Sequence, residues 1–291
     1  MIVVAPMISI LTPCLDRIQF IDEAIQSVAH QDYPNVEHII IDGGSTDGTL
    51  EVVRRFRQLR VITERDNGPY DALNKGLRLA RGEIIGLLNS DDRYCRDVFG
   101  EVARRFAADP IVDIIFGGAT VSENNGEGAP RTVARYVAPR DIELSFYNIM
   151  MGVPIINARF FRRHVFTRVG FFDTRYELAA DREFLLRAAF VGTRSESISR
   201  LIYEYRKHDN SMSLSGAIGQ RLKIYSEHMT IAEHYLRVQG VPVKVRRLLK
   251  FWHTREALAG LVLACRHASY RHAVAYGTKI WRHGRCRAKP E

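Results

Sequence analysis

Gly82-Glu-Ile-Ile-Gly-Leu-Leu-Asn-Ser-Asp-Asp92 sets a run of apolar residues directly against a cluster of polar ones. Ile84 to Leu88 is short and continuously apolar, and Gly82 stops the helical pattern before it. The run therefore reads as a strand buried on both faces. The polar cluster then falls at the carboxyl end of that strand, where ligands bind in open α/β sheets. Asp91 and Asp92 repel each other, and placing both at a buried strand end is costly without a cation. Mg²⁺ or Mn²⁺ suits carboxylate oxygens and can be shared with phosphates. A solvated acidic turn is the other reading of the same residues.

The pattern repeats on the N-terminal side. Met7 to Thr12 and Val36 to Ile41 are further apolar runs, and Arg60 to Thr63 is a short one. Between them Phe20, Ile21, Ala24, Ile25 and Val28 recur at helical spacing, as do Leu50, Val53 and Phe56, and Asp71 to Leu79 reads as a helix. Downstream, Val98, Val102 and Phe106 mark a helix and Val112 to Phe116 a strand. Buried strands alternating with amphipathic helices imply an α/β domain, a sheet with helices on both faces. After Gly117 the order loosens: a polar loop at Glu123 to Pro130, a strand at Arg131 to Val137, helices at Phe160 to Val169 and Asp181 to Phe190, and a strand at Ile198 to Tyr205. From about Gly216 the pattern is helical throughout, with apolar stripes on Leu222, Met229 and Leu236, then on Val245, Leu249 and Trp252, then on Ala273, Gly277 and Trp281.

Two more polar clusters carry candidate chemistry. Asp42-Gly-Gly-Ser-Thr-Asp-Gly-Thr49 follows the second strand. Its glycines suit a bend and Asp47 suits a helix N-cap. Asp42 ends an apolar strand and needs a polar partner, which a base or ribose could supply. Asp181, in Ala179-Ala-Asp-Arg-Glu-Phe-Leu-Leu-Arg187, reads by itself as a helix cap before an ordinary apolar face.

In their order along the chain these stretches resemble the inverting glycosyltransferases of family 2, with the GT-A fold. The matching pieces are Ser9-Ile-Leu-Thr-Pro13, Ile40-Ile-Asp-Gly-Gly-Ser-Thr-Asp-Gly-Thr49, Asp66-Asn-Gly-Pro-Tyr-Asp-Ala-Leu-Asn-Lys-Gly76, Gly82 to Asp92, Gly170-Phe-Phe-Asp173 and Ala180 to Arg187, over roughly residues 7–213. The resemblance implies a Rossmann-like mixed sheet, a nucleotide-diphosphate sugar donor, a saccharide or lipid-linked saccharide acceptor, and a divalent metal, Mn or Mg. Thr12 and Pro13 would line the nucleotide cleft and Asp42 would contact the nucleobase. Asp71, Asn74 and Lys75 would form another wall. Asp91 would hold the metal, with Asn89, Ser90 and Asp92 beside it at the donor, and Asp181 would be the general base. His208, in Arg206-Lys-His-Asp-Asn-Ser211, would touch a phosphate or the metal. The sequence departs from the family pattern at Asn89, where the acidic motif often begins with Asp, and at Asn157, where many relatives have histidine.

The net charge of +9 is uneven. Residues 215–291 hold 15 Lys or Arg against 4 Asp or Glu, and residues 1–214 hold 27 against 29. A near-neutral catalytic domain over 1–214 and a basic helical region over 215–291 are expected. Basic amphipathic helices bearing Trp252 and Trp281 suit an anionic membrane surface, so a cytoplasmic enzyme, peripheral on the inner membrane, is the expectation, in cell-envelope or exopolysaccharide synthesis. Four scattered cysteines suit neither a zinc site nor a disulfide framework. The N-terminus lacks the basic leader and cleavage site of a signal peptide, and the longest clean apolar run near the other end, Ala257 to Cys265, is too short to span a bilayer. Two other classes compete. A nucleotidyltransferase would also use an α/β sheet, but Thr12-Pro-Cys-Leu-Asp16 replaces its glycine-rich start. A nucleic-acid-binding protein would suit the pI near 9.5, but the charge lies in the tail and no such motif occurs, so no nucleic-acid partner is expected.

Overall fold

The computed structural model describes residues 5–123, 130–137, 142–209, 211, 217–267 and 270–285. Residues 124–129, Arg287 and the side chains of Trp281, Arg282 and Arg285 lie outside what is described. Contacts divide the chain into two units, 1–208 and 209–291, against an expected boundary at 214.

The first unit is built on one sheet. Strands β1 (Ile8–Cys14), β2 (Val36–Asp42), β3 (Arg60–Thr63) and β4 (Ile84–Leu87) run parallel in the order β3-β2-β1-β4. Every residue of β1 and β4 is buried, which is why their sequences are apolar without alternation. Helices α1 (Ile21–Ala29), α2 (Thr49–Val53), α3 (Pro69–Leu79) and α4 (Phe99–Ala108) connect or follow these strands. Helix α1 buries Ile21, Ala24, Ile25 and Val28, the stripe its spacing announces. Register places Cys14 beside Asp42 and Asp42 beside Thr63, so three strands end at one level.

Strands β5 (Arg93–Tyr94), β6 (Ile114–Glu123), β7 (Arg131–Tyr136), β8 (Arg159–Arg162) and β9 (Ser195–Lys207) extend the sheet in the order β4-β8-β6-β9-β5, with β7 against β6. Strand β8 is antiparallel to both β4 and β6, so the sheet is mixed. The expected helix from Phe160 to Val169 is corrected here: its first residues belong to β8, and only α6 (His164–Val169) is helical. Phe160 and Phe161 are adjacent and both fully buried, on opposite faces of the sheet. Phe160 packs with Tyr94 and Phe99, ring centroids 5.3 and 5.7 Å away, and Phe161 with Phe166 and Phe184 at 5.4 and 5.8 Å. That is period two, which in a short apolar run cannot be told from a buried helix by sequence. Gly86 makes room for this packing. A Cβ there would stand 2.8 Å from the Tyr94 hydroxyl and 2.9 Å from the Phe160 ring. Helices α5 (Phe146–Met151), capped by the Ser145 side chain, and α7 (Ala180–Phe190) complete the unit.

The second unit contains α8 (Ile218–Arg237), α9 (Val243–Arg266) and α10 (Tyr270–Arg285). Its core joins Leu222, Met229, Ala257, Leu263, Ala264 and Tyr276. Gly260 lets α10 approach, since a Cβ there would meet the Tyr276 ring at 2.3 Å. Trp252, expected on a lipid-facing surface, is instead fully buried beside the His228 ring; it shares the inward face of α9 with Val245 and Leu249. Among the described residues no helix is long and apolar enough to cross a membrane.

Candidate active site

The end of β2 supplies Asp42, which is fully buried. Its Oδ2 accepts the backbone N–H of Gly44 at 3.0 Å and of Ser45 at 3.1 Å, and its Oδ1 accepts the Ser45 hydroxyl. The carboxylate thus closes its own loop. Asp47 accepts the N–H of Thr49 at 2.9 Å and of Ile18 at 3.0 Å, tying α2's start to the segment after β1. The residue flanking α2 is Gly48, one position after the expected cap. Thr12 is also fully buried, 2.9 Å from His38 Nε2, and burial lowers that imidazole to about 3. Pro13 is buried too. None of these three side chains presents a surface to solvent.

The wall expected from Asp71, Asn74 and Lys75 lies on α3. Asn74 is buried and makes a reciprocal pair with the backbone of Phe172, Nδ2 to O and N to Oδ1, both 2.9 Å. It pins α3 to the Gly170–Asp173 turn. Lys75 Nζ lies 2.6 Å from the Arg65 carbonyl and 3.1 Å from Glu64, and Asp71 accepts the N–H of Asn67 at 3.1 Å. Asp66 nestles against Gly43, where a Cβ would be 2.5 Å from its Oδ2. Burial raises the Asp66 carboxyl above its ordinary range.

After β4 the two carboxylates part company. Asp92 turns inward and is buried. Its Oδ2 accepts Asn89 Nδ2 at 2.8 Å and the Tyr203 hydroxyl at 3.0 Å, and its Oδ1 accepts the Arg206 N–H at 2.8 Å. Burial, and then the charge of Asp91, push its carboxyl up to about 8. Ser90 is buried and hydrogen-bonds Cys14, whose thiol burial raises to about 12. Asp91 turns the other way. Its Oδ2 stands 2.9 Å from His208 Nε2, and both side chains are 16% exposed. His208 stacks on the Phe20 ring with centroids 4.6 Å apart, and the Arg206 guanidinium sits over the same ring at 5.1 Å while bonding Glu23 at 2.6 Å.

Asp181 occupies the first turn of α7, two residues inside its Ala179 boundary rather than at it. Burial raises its carboxyl above the ordinary range; Arg182's charge, the Arg182 N–H at 2.7 Å and a hydrogen bond from Tyr70 pull the other way. Tyr205 lies within electrostatic reach of both Asp92 and Asp181. One neighbourhood therefore joins the end of β4, the end of β9 and the start of α7.

The sequence profile described as Glycosyl transferase family 2 matches residues 9–170, more than half of the chain. The chain belongs to this family. A PGL/p-HBAD biosynthesis glycosyltransferase of Mycobacterium bovis is 30% identical over 190 residues, 63% of this chain and 70% of that one. Among solved structures, the 1–349 portion of S. aureus TarS in complex with UDP-GlcNAc superposes with a TM-score of 0.63 at 19% identity, over 96% of this chain and 92% of that one. Of a longer TarS chain this one spans 43%. A mannosyltransferase from Pyrobaculum calidifontis in complex with GDP-Man and Mn2+ superposes with a TM-score of 0.61 at 22% identity, over 95% and 80%. At these identities the structures establish the GT-A fold, with the basic helices following it.

In this family 2 glycosyltransferase the two departures from the family pattern touch each other. Asn157 Nδ2 donates to Asn89 Oδ1 at 3.2 Å, and Tyr205 donates to Asn157 Oδ1 at 3.3 Å. Tyr70, Phe20, Tyr203, Tyr205 and Arg206 all support the site and were missed from sequence. Tyr70 and Arg206 had a signal, their places inside the Asp66–Gly76 and Arg206–Ser211 stretches.

Among the described residues no group of three or more His, Cys, Asp or Glu is arranged to hold a metal. Asp91 and His208 supply two convergent donors, one oxygen and one nitrogen. That number fits an ion whose remaining ligands are phosphate oxygens and water, and the imidazole favours Mn²⁺ over Mg²⁺.

Proposed function

We propose that this enzyme moves a sugar from a nucleotide-diphosphate donor to a hydroxyl of a saccharide or lipid-linked saccharide, with inversion at the anomeric carbon, in the synthesis of a cell-envelope glycan. The observation that carries the reading is that Asp181 and Asp92 both lie within electrostatic reach of Tyr205, while Asp91, next in the chain to Asp92, pairs with His208. The donor class and setting are supported by its likeness to a PGL/p-HBAD biosynthesis glycosyltransferase and to structures in complex with UDP-GlcNAc and GDP-Man.

Asp181 has the properties of a general base. It is an ionisable carboxylate raised toward neutrality by burial and steadied by Tyr70. It would take the proton of the acceptor hydroxyl as that oxygen forms its bond to the anomeric carbon and the bond to the diphosphate oxygen breaks. Asp91 and His208 would hold a divalent ion, whose chemistry is Lewis-acid stabilisation of the charge gathering on the diphosphate. Lys75 and Asp71 keep partly accessible atoms on the donor wall. Thr12, Asp42, Asn74 and Asp92 would act beneath that wall, fixing its shape. The charge of the C-terminal unit would hold the enzyme peripherally at a cytoplasmic membrane face, where lipid-linked acceptors are available.

The test is calorimetric titration with UDP, GDP, dTDP and CDP, each with Mn²⁺ and again with EDTA, followed by a sugar screen on the nucleotide that binds. Metal-dependent binding of one nucleotide and a product of inverted anomeric configuration are expected. Retained configuration, or release of pyrophosphate in place of nucleoside diphosphate, would overturn the reading.

A further inference from the structure

Helix α9 buries Val245, Leu249, Trp252, Glu256 and Leu263 within its own unit. Its opposite face is apolar too. Val243 is 66% exposed, Phe251 61%, Leu258 48% and Val262 49%. These positions fall three to four residues apart once Arg247 and Thr254 are counted between them, so they share one stripe about 30 Å long. Lys244, Arg247, Lys250, Arg255 and Arg266 are exposed on or beside the stripe. The helix has a single acidic residue, Glu256, and it is buried against His228 at 2.9 Å.

We propose that this outward face of α9 docks on an anionic lipid bilayer, with Phe251, Leu258 and Val262 entering the acyl boundary and the flanking Lys and Arg meeting lipid phosphates. It rests on the peripheral-membrane reading above and specifies the surface. Charge complementarity selects the occupant. A second copy of the same face would set cation against cation with no exposed carboxylate on the helix to answer them. A nucleic acid would answer the cations but leave the apolar stripe in water, whereas a bilayer interface accepts both. The exposed aromatic here is Phe251, not the neighbouring Trp252 that sequence reasoning singled out.

The experiment is flotation of the full chain with vesicles of phosphatidylglycerol and phosphatidylcholine, or of phosphatidylcholine alone, at low and high salt. Wild type should float with the anionic vesicles and lose most of that binding at high salt. Lys244→Gln with Lys250→Gln should weaken partitioning roughly thirtyfold, at about 1 kcal/mol per cation. Phe251→Ser with Leu258→Ser should weaken it by about tenfold or more. Circular dichroism and transfer to a soluble acceptor should be unchanged in both, since every substituted side chain is exposed. Anionic binding that survives both double variants would overturn the assignment of this face while leaving peripheral association standing. Absence of wild-type binding at either salt would overturn the association and the face together. Two other results would also refute the lipid occupant: self-association in sedimentation lost in Phe251→Ser with flotation intact, or a salt-sensitive RNA shift lost in the lysine variant with flotation intact.

Discussion

Asp42 ends β2 and Asp91 follows β4, two strands that flank β1 in the same sheet, and their carboxylates are placed in opposite ways. Asp42 is sealed off, with its oxygens accepting hydrogen bonds from the loop it begins. Asp91 keeps an exposed edge and pairs with a histidine just past the end of β9. The same contrast separates the two sides of the whole site. On the proposed donor wall Thr12, Asn74 and Asp92 are bonded into the protein, so their shape is preformed. On the proposed reacting side Asp181, Asp91 and His208 stay partly accessible. Rigid surroundings around a few available groups are what electrostatic preorganisation requires.

If that division holds, substitution on the reacting side should strike turnover. Asp181→Asn keeps the shape and the acceptor oxygen but removes the base, so kcat should fall by about 10²–10⁴-fold. Calorimetry should show nucleotide binding intact in the variant. Near wild-type turnover would remove Asp181 from the base role. Asp91→Ala should follow, with metal-dependent nucleotide affinity weakened by at least the ~10–100-fold that even an outer-shell partner of a metal contributes. His208→Ala should lose part of the same dependence. Identical nucleotide affinity with Mn²⁺ and with EDTA in wild type would rule out the metal assignment for both residues.

On the donor wall the readout should be stability. Asn74→Ala leaves the buried N–H and C=O of Phe172 without their partner. Each unsatisfied group costs about 1–3 kcal/mol, so denaturant melts should shift by that order. Asp42→Ala should behave alike, freeing the N–H groups of Gly44 and Ser45. A large fall in kcat with an unshifted melt would show that the wall itself touches substrate and would erase the distinction.

Much of the wall was legible because it sits on local sequence. β4 is a continuous apolar run, β1 and the Ile39–Ile41 part of β2 are largely apolar, their ends are marked by polar residues, and the parallel block follows from them. The reacting side depends on partners far apart in the chain. Nothing in Asn89-Ser-Asp-Asp92 tells which aspartate turns inward; Tyr203 and Arg206 decide it, more than a hundred residues later. Phe20 reads as one more apolar position before α1, and only the fold stacks His208 on it. β8 was hidden for a related reason: the alternation of Phe160 and Phe161 has meaning only between β4 and β6, two strands that flank it in space.

The finest test of the contrast is Tyr70, which links the two sides by standing on α3 and hydrogen-bonding the candidate base. Burial raises the Asp181 carboxyl, and the Tyr70 hydroxyl opposes that rise by stabilising the ionised form. Transfer needs the ionised base, so activity should climb with pH through a limb above the ordinary carboxylate range. A carboxyl raised in the folded state also lends stability at low pH that is lost as pH rises through its folded value. Tyr70→Phe removes the hydroxyl and keeps the ring beside Phe172, 5.4 Å between centroids. The acid limb of kcat/KM should therefore move to higher pH, while the plateau stays within about threefold of wild type. A limb that stays in place with a lowered plateau would mean that Tyr70 positions the acceptor and does not tune the base. A limb moving to lower pH would mean that the hydroxyl stabilises the protonated carboxyl, and Asp181 would then be poised to give a proton at neutral pH.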